Sequence, residues 1–553
     1  MTSTDRRAEH RRMYAMAVLS GALLGASFPP IPAGVLAMVG LIPLLFVLNA
    51  FPRPRGAFRF IYAAMLTFHV ITLNWTGDYV QAKDMYMMIA GAVTMIVHPL
   101  FYFLPLGGYL LVRRHLGERV ALTVLPFLWA GYEYSHSLTE WSFPWLTLGN
   151  SQSYTIARVQ FIEWTGIFGV SFWLVVVNVV AYVLLRALLE RRPLRSGSVV
   201  LPAVTLAGLI LIPSLHGWYV LRSWQEKEIP ASSAVTVGIV QANVDPWDKW
   251  TANGYVTVDM YMGRTRALVE APAGPKPDIV LWPETAFPFD ILAPANRDLL
   301  ASLQHQLSMW NVSVLTGLPH RITYTDSLLA PRSARHDRMT GQRYDWFNAA
   351  ALLQNGADAP AWYGKMKLVP FAERVPYAEA IRFIDFLRWD VGIGGWQIGP
   401  DTTVFQDLRT GARFNALICY ESTYPGFVAA FVRRGAEFIT LITIDSWWDH
   451  MSGAYQHQQM SILRAIENRR WVARCAVGGI SCFIDPSGHV HDATELFTER
   501  TLSRKIERRT EQTFYTEHGD WLGDISLWVG MILVVAAMGQ AYLTKNRKQL
   551  WEA

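Results

Sequence analysis

The sequence predicts a multi-pass α-helical membrane bundle, an α/β domain after it, and one final membrane span. Three observations carry that prediction. Hydrophobic residues make up 52% of the 553 and charged residues only 17%, whereas about 25% is usual for a soluble globular protein. Residues 1–222 form a succession of apolar stretches, each long enough or nearly long enough to cross a hydrocarbon core that takes roughly 20 helical residues. From 223 to 520 the texture changes to short β-branched runs, amphipathic stretches, and loops rich in Pro, Gly and Trp.

About seven spans are expected in the first part, beginning near Met13, Gly34, Phe60, Tyr86, Val120, Phe161 and Val199. An eighth, "ISLWVGMILVVAAMGQAYL", falls at 525–543 within a closing segment of 521–553. Basic residues alternate between the connections. Arg6, Arg7, Arg11 and Arg12, then Arg53, Arg55 and Arg59, then Arg113, Arg114 and Arg119, then Arg186, Arg191, Arg192 and Arg195 lie on one side, and the other side holds only Lys83 and Arg158. Lys and Arg in short loops mark the cytoplasmic face. The amino terminus is therefore expected inside, residues 223–520 outside, and the tail with Lys545, Arg547 and Lys548 inside again. The formal net charge of +5 is thus topological and gives no reason to invoke nucleic acid. The first stretch also has the basic flank, apolar centre and small residues of a cleavable signal peptide. Retention is expected, because "GASFPP" runs directly into the next span.

In the α/β part, strands are expected at "AVTVGIVQ", "DIVLWPE", "VSVLTGLP", "NAAALLQ", "FNALICY", "FITLITID" and "AVGGISCFIDP". Most are apolar throughout, so the sheet should be covered on both faces. Helices are expected at 254–270, 296–308, 424–435 and 456–470.

Three strand-to-turn junctions carry reactive residue types. Glu284 follows Pro283, which stops a ladder. Lys365, Lys367 and Glu373 lie in "WYGKMKLVPFAERVP". Cys419 ends "NALIC", with Tyr420 and Glu421 after it and Ser422 or Thr423 expected to cap the next helix. A thiol facing a helix amino terminus gains thiolate character, a carboxylate can take its proton, and an ammonium can stabilise an oxyanion. Taken singly, each also has a plain reading: a packed core thiol, a helix-capping Glu and a surface Lys. Cys475 and Cys482, within apolar runs, read as core thiols, and three cysteines without metal-ligand spacing form no disulfide framework.

"WPETA", "K-x-x-LVPF-x-E-x-VP", "CYE" and "ILRAIENRRWVARCAVGGISCFIDPSG" resemble, in order, the Glu, Lys, Cys and closing segments of the nitrilase superfamily, whose fold is an αββα sandwich. The layout, with "SFPPIP", "FPWLTLGNSQ" and "VQANVDPWDKW", resembles more narrowly the apolipoprotein N-acyltransferase family over nearly the whole chain. The resemblance implies a base at Glu284, an oxyanion-stabilising Lys365 and a nucleophile at Cys419, supported by Glu373, Tyr420 and Glu421. It also matches Trp250 to a tryptophan of substrate handling. Trp389, Trp396, Trp447 and Trp448 are expected at the bilayer surface, gating substrate access.

The implied reaction moves an acyl chain from a membrane phospholipid, through a thioester, to the α-amine of the amino-terminal diacylglyceryl cysteine of an apolipoprotein. It needs no metal or organic cofactor and takes place on the periplasmic side of a bacterial inner membrane. Two alternatives stand beside it: a membrane-tethered amidase or nitrilase-type hydrolase, and an inactive lipoprotein-binding homologue. Four departures from the family pattern, Ala372, Arg374, Ile444 and Asp449, touch loops around the expected pocket.

Overall fold

The computed structural model describes residues 3–51, 56–77, 85–224, 229–250, 253–271, 274–326, 328, 330–357, 359–377 and 395–552. The chain divides into two compact units. One comprises Met1–Thr139, Phe143–Gln225 and Asp520–Ala553, and the other Glu140–Ser142 and Glu226–Gly519.

The first unit is helical. Its α-helices are Ser3–Ala26, Ile42–Ala50, Phe58–Leu73, Met85–Val97, Phe103–Leu116, Glu118–Ser137, Ile162–Leu189, Gly197–Trp224 and Trp521–Glu552. Four helical stretches are by themselves long and apolar enough to cross a membrane: Met87–Leu116, Ile162–Leu189, Gly197–Trp224 and Trp521–Asn546. Pro falls inside Met87–Leu116 and Gly197–Trp224 and inside the helix Glu118–Ser137. His98–Tyr102, with Pro99, tightens into a 3₁₀ turn inside one apolar run, and Gly34–Met38 forms another before Ile42. Leu201, Leu211, Ile212 and Leu215 of Gly197–Trp224 are more than half exposed, as expected of a helix whose solvent is lipid.

The second unit is an α/β sandwich. Its strands are β1 (Ala234–Gln241), β2 (Ile279–Leu281), β3 (Ser313–Tyr324), β4 (Arg335–His336), β5 (Arg343–Leu353), β6 (Ala361–Gly364), β7 (Phe405–Gln406), β8 (Arg413–Phe414), β9 (Leu417–Ile418), β10 (Ile439–Thr443), β11 (Val472–Ala476), β12 (Cys482–Ile484), β13 (Val490–His491) and β14 (Arg500–Glu507). One sheet runs β14-β1-β2-β3-β5-β4, with β6 also paired to β5, a second runs β13-β12-β11-β10-β9, and β7 and β8 pair as a two-stranded ribbon. The sheets meet face to face, and the Cys475 thiol of β11 donates to the carbonyls of Val240 and Leu281.

Helices cover the outer faces. Tyr261 of Gly254–Val269 stacks on Trp282 at 5.2 Å, and Leu303 and Leu307 of Arg297–Trp310 pack into the same core. Burying one such side chain is worth about 2 kcal/mol. Pro425–Arg433 and Ser452–Asn468 lie in the part of the chain that builds the second sheet. Both faces of the parallel strands are therefore covered, which is why their sequences are apolar nearly throughout.

Candidate active site

The site assembles where parallel strands of both sheets end. β2 is followed by Trp282 and Pro283, and the chain then turns at Glu284 and Thr285, with Thr285 at φ 46°. Gly317 of β3 allows that turn, because a Cβ there would lie 2.7 Å from Glu284 Cα and 2.3 Å from Thr285 N. Asn348 sits in β5, and Lys365, one residue past β6, extends the pairing by donating its N–H to Asn348 O at 2.8 Å. Cys419 follows β9 directly and Ile444 follows β10.

These ends bring Glu284 and Lys365 together and place Cys419 within electrostatic reach of both. Lys365 Nζ donates to Glu373 Oε1 at 2.8 Å and lies 3.5 Å from Glu284 Oε1. Asn348 Nδ2 donates to both carboxylates, at 2.7 Å to Glu284 and 3.1 Å to Glu373. The Ile444 N–H donates to Glu284 Oε2 at 3.1 Å, and the Val369 N–H to Glu373 Oε2 at 2.8 Å. Lys365 is 1% exposed, so it is not the surface lysine its local sequence allows. Glu284 caps no helix, and its oxygens serve Asn348, Lys365 and Ile444.

Electrostatics push the ammonium and the thiol the same way, upward, from different causes. Burial works to lower the Lys365 ammonium, but Glu373, Glu284 and Cys419 outweigh it and hold it above its ordinary range. Burial and the Glu284 carboxylate push the Cys419 thiol up, while Lys365 and a hydrogen bond to Thr443 pull it down less strongly. The resting sulfur is therefore protonated, a thiol. This corrects the expectation of thiolate character from a helix dipole, because Cys419 opens a five-residue 3₁₀ turn, Cys419–Thr423, and the α-helix begins only at Pro425. The expected cap is corrected too. Ser422 Oγ donates to Cys419 O at 3.0 Å and Thr423 Oγ1 to Tyr420 O at 2.8 Å, so neither hydroxyl caps the helix.

Cys419 itself is partly exposed and held at φ 53°, a left-handed conformation that costs an ordinary residue about 1 kcal/mol or more. Glu421 fixes the turn. Its Oε1 accepts from Tyr363 Oη at 2.6 Å, Met366 N at 2.7 Å and Lys367 N at 3.2 Å, and its Oε2 accepts from Ile418 N at 2.8 Å. One carboxylate, pushed up to about 7 by its burial, thus ties the amides after Lys365 to the amide before Cys419. Tyr420 Oη donates to Ser142 O at 2.9 Å.

Of the tryptophans, Trp447 and Trp448 lie on the turn Asp445–Trp448 after β10, with Trp447 edge-on to Trp247 at 5.1 Å. Trp250 is 40% exposed. Trp396 is buried, and its backbone N–H donates to Glu373 O, so it packs within the domain instead of standing at a surface. Trp389 lies outside the described residues. Of the departures, Ile444 contributes only its backbone amide, and Arg374 donates to Gln397 Oε1 at 2.9 Å.

Sequence reasoning missed Asn348 and Lys249. Asn348 is the one amide in the apolar run "NAAALL", and a buried polar residue inside a strand was the available signal. Lys249 is 2% exposed, its Nζ donates to Thr285 Oγ1, and burial brings its ammonium down to about 7 with Glu284 opposing. Cys475 and Cys482 are fully buried in β11 and β12. Among the described residues, no group of His, Cys, Asp or Glu could hold a metal ion.

Two family models match the chain: the apolipoprotein N-acyltransferase N-terminal domain over residues 20–180 and carbon-nitrogen hydrolase over 236–515. The chain is similar to a Chlorobaculum tepidum protein named apolipoprotein N-acyltransferase, 35% identical over 95% of this chain and 96% of that one. A Geobacter metallireducens protein of the same name is 32% identical over 92% of each. Among solved structures, a mutant of the amidase from Nesterenkonia sp. AN1 matches 54% of this chain and 96% of its own, with a TM-score of 0.35 and 16% identity.

Proposed function

The chain belongs to the apolipoprotein N-acyltransferase family, and from that premise we propose that it transfers a fatty acyl chain from a membrane phospholipid to the α-amine of the amino-terminal S-diacylglyceryl cysteine of apolipoproteins. The observation that carries the reading is the buried convergence of one carboxylate, one ammonium and one partly exposed thiol from far-separated strand ends.

Glu284 takes the Cys419 proton as the sulfur attacks the phospholipid ester carbonyl. Lys365, with a backbone N–H near Cys419, holds the oxyanion, and such donors are worth about 3 kcal/mol each. The ester C–O bond then breaks, the proton on Glu284 passes to the leaving lysophospholipid oxygen, and a Cys419 thioester remains. The neutral α-amine attacks that thioester. Glu284 accepts the amine proton and returns it to the departing sulfur, completing a ping-pong cycle. Glu373 and Asn348 keep Lys365 and Glu284 paired, and Glu421 and Tyr420 set the turn that carries the nucleophile.

About seven crossings precede the catalytic part and one follows it, in a bacterial inner membrane with residues 223–520 on the periplasmic side. The alternation of Arg-rich and Arg-poor connections supports this topology. The bundle has a physical purpose, because a water-facing site would have to extract acyl chains at about 0.8 kcal/mol per CH₂. Trp250, Trp447 and Trp448 handle and admit lipid, and the same role is assigned to Trp389.

The test supplies phospholipid and a synthetic diacylated lipopeptide to the purified protein. N-acylated lipopeptide with lysophospholipid is expected. Free fatty acid without N-acylated product would instead identify a hydrolase.

A further inference from the structure

A second polar cluster lies behind the nucleophile, with no part in the steps above. Thr443, Asp445, His457, Arg474 and Ser422 are each at most 1% exposed. Buried charge persists only when fully paired, and here the pairing is extensive. Asp445 Oδ1 faces His457 Nδ1 at 2.9 Å and accepts from Thr443 Oγ1 at 3.0 Å, and Oδ2 accepts from Arg474 at 2.6 Å. Burial works against the Asp445 carboxylate, but Arg474 and His457 hold it down at about 2. Arg474 also stands 3.1 Å from His457 Nδ1. At the far side of the ring, Nε2 lies 2.8 Å from Ser422 Oγ and 3.1 Å from Cys419 O.

The cluster touches the nucleophile's residue at its carbonyl, through His457 and Ser422. Ser422, His457 and Asp445 have the order of a hydrolytic triad, but the Ser422 hydroxyl is buried and committed to Cys419 O. It is a strut, not a second nucleophile. His457 Nε2 faces the Cys419 carbonyl, which can only accept, and Ser422 Oγ gives its hydrogen to that same carbonyl, so Nε2 is the donor. A left-handed non-glycine residue such as Cys419 stays in place only where its surroundings over-determine it.

We propose that His457 is a positioning residue for acyl transfer: its Nε2–H holds the Cys419 carbonyl and, with Asp445, Thr443 and Ser422, clamps the left-handed turn that aims the sulfur at Glu284 and Lys365. The proposal rests on the reading of Cys419 as the nucleophile. Misplacing a reacting atom by about 1 Å costs on the order of 100-fold, which sets the expected effect.

The test measures alkylation of Cys419 by iodoacetamide, read by peptide mass on the full-length protein in detergent, alongside kcat and KM for acyl transfer. His457→Phe is expected to slow alkylation and kcat about 30- to 100-fold while KM changes little. His457→Gln, whose amide nitrogen reaches the Nε2 position, should recover most of the loss. His457→Asn, whose amide nitrogen reaches only the Nδ1 position beside Asp445, should not. Rescue by Asn but not Gln, or wild-type alkylation in His457→Phe, would overturn the proposal. Ser422→Ala leaves the Asp445–His457 pair intact and guards against misfolding of the His variants. It should slow alkylation about 5-fold, in line with one lost hydrogen bond, and an unchanged rate would also overturn the proposal. Alkylation involves no lipid, so a wild-type protein that alkylates normally yet transfers no acyl group refutes the proposed function, while the clamp of His457 on the Cys419 turn is still decided by alkylation of the variants.

Discussion

Replacing Lys365 by Met removes an ammonium that lies 2.8 Å from Glu373 Oε1 and 3.5 Å from Glu284 Oε1, with its own side chain 1% exposed. Two buried carboxylates would then share Asn348 Nδ2 with no cation between them. Leaving a buried charge unpaired costs about 3–5 kcal/mol, enough to lower the apparent melting temperature by about 10 °C at roughly 3 °C per kcal/mol. The two carboxylates relieve the repulsion by retaining a proton between them, which weakens Glu284 as a base. Loss of the oxyanion donor adds a 10²- to 10³-fold fall in acylation rate. The assay is the single-turnover rate of acyl-enzyme formation, measured beside thermal unfolding. Lys365→Met/Glu373→Gln separates the two effects, because neutralising Glu373 removes the repulsion and recovers most of the melting temperature while acylation stays slow. If the double variant also regained wild-type acylation, Lys365 would be a structural counter-ion only and the catalytic argument would be refuted.

Of the three cysteines, only Cys419→Ala should abolish transfer; Cys475→Ala and Cys482→Ala should retain it with a stability loss of about 1 kcal/mol from a small buried void, checked by the transfer assay and melting. Lys249 is held near 7 when folded and titrates near 10.4 when unfolded, so between those values the unfolded chain binds more protons and stability gains with rising pH. The unfolding free-energy difference between wild type and Lys249→Met should therefore move in favour of wild type from pH 7 to pH 9, by about 1 kcal/mol per pH unit, and a pH-independent difference would contradict a neutral buried amine. Trp447→Ala and Trp448→Ala should slow transfer from phospholipid vesicles several-fold and leave iodoacetamide labelling of Cys419 unchanged, since a surface gate acts on lipid access alone.

Much of this arrangement was legible in the sequence because strand-end chemistry leaves a local trace. The run "AVTVGIVQ" became β1 residue for residue, and the apolar "NALI" signalled a covered strand ending at Cys419. Convergence was not legible from the residues themselves. Lys365 reads as a surface lysine until β6 pairs with β5 and carries it inward beside Asn348, Glu284 and Glu373. Ser422 and Thr423 read as helix caps, yet Pro425 starts the helix and both hydroxyls turn back to carbonyls of the 3₁₀ turn. His457 was hidden for a different reason. Its helix, Ser452–Asn468, buries Gln, His, Arg and Glu along with its apolar residues, so amphipathic periodicity cannot separate an inward histidine from a solvated one. In the helical unit, the 3₁₀ turn at His98–Tyr102 breaks a run that reads as one continuous span.

The most direct measurement is peptide mass mapping of the purified protein after exposure to vesicles of phospholipid with isotopically labelled acyl chains, without an acceptor. One labelled acyl group on the peptide containing Cys419, discharged when a diacylated lipopeptide is added, is the predicted result. N-acylated product formed while Cys419 remains a free thiol throughout, or an acyl group carried by any other residue, would contradict the account.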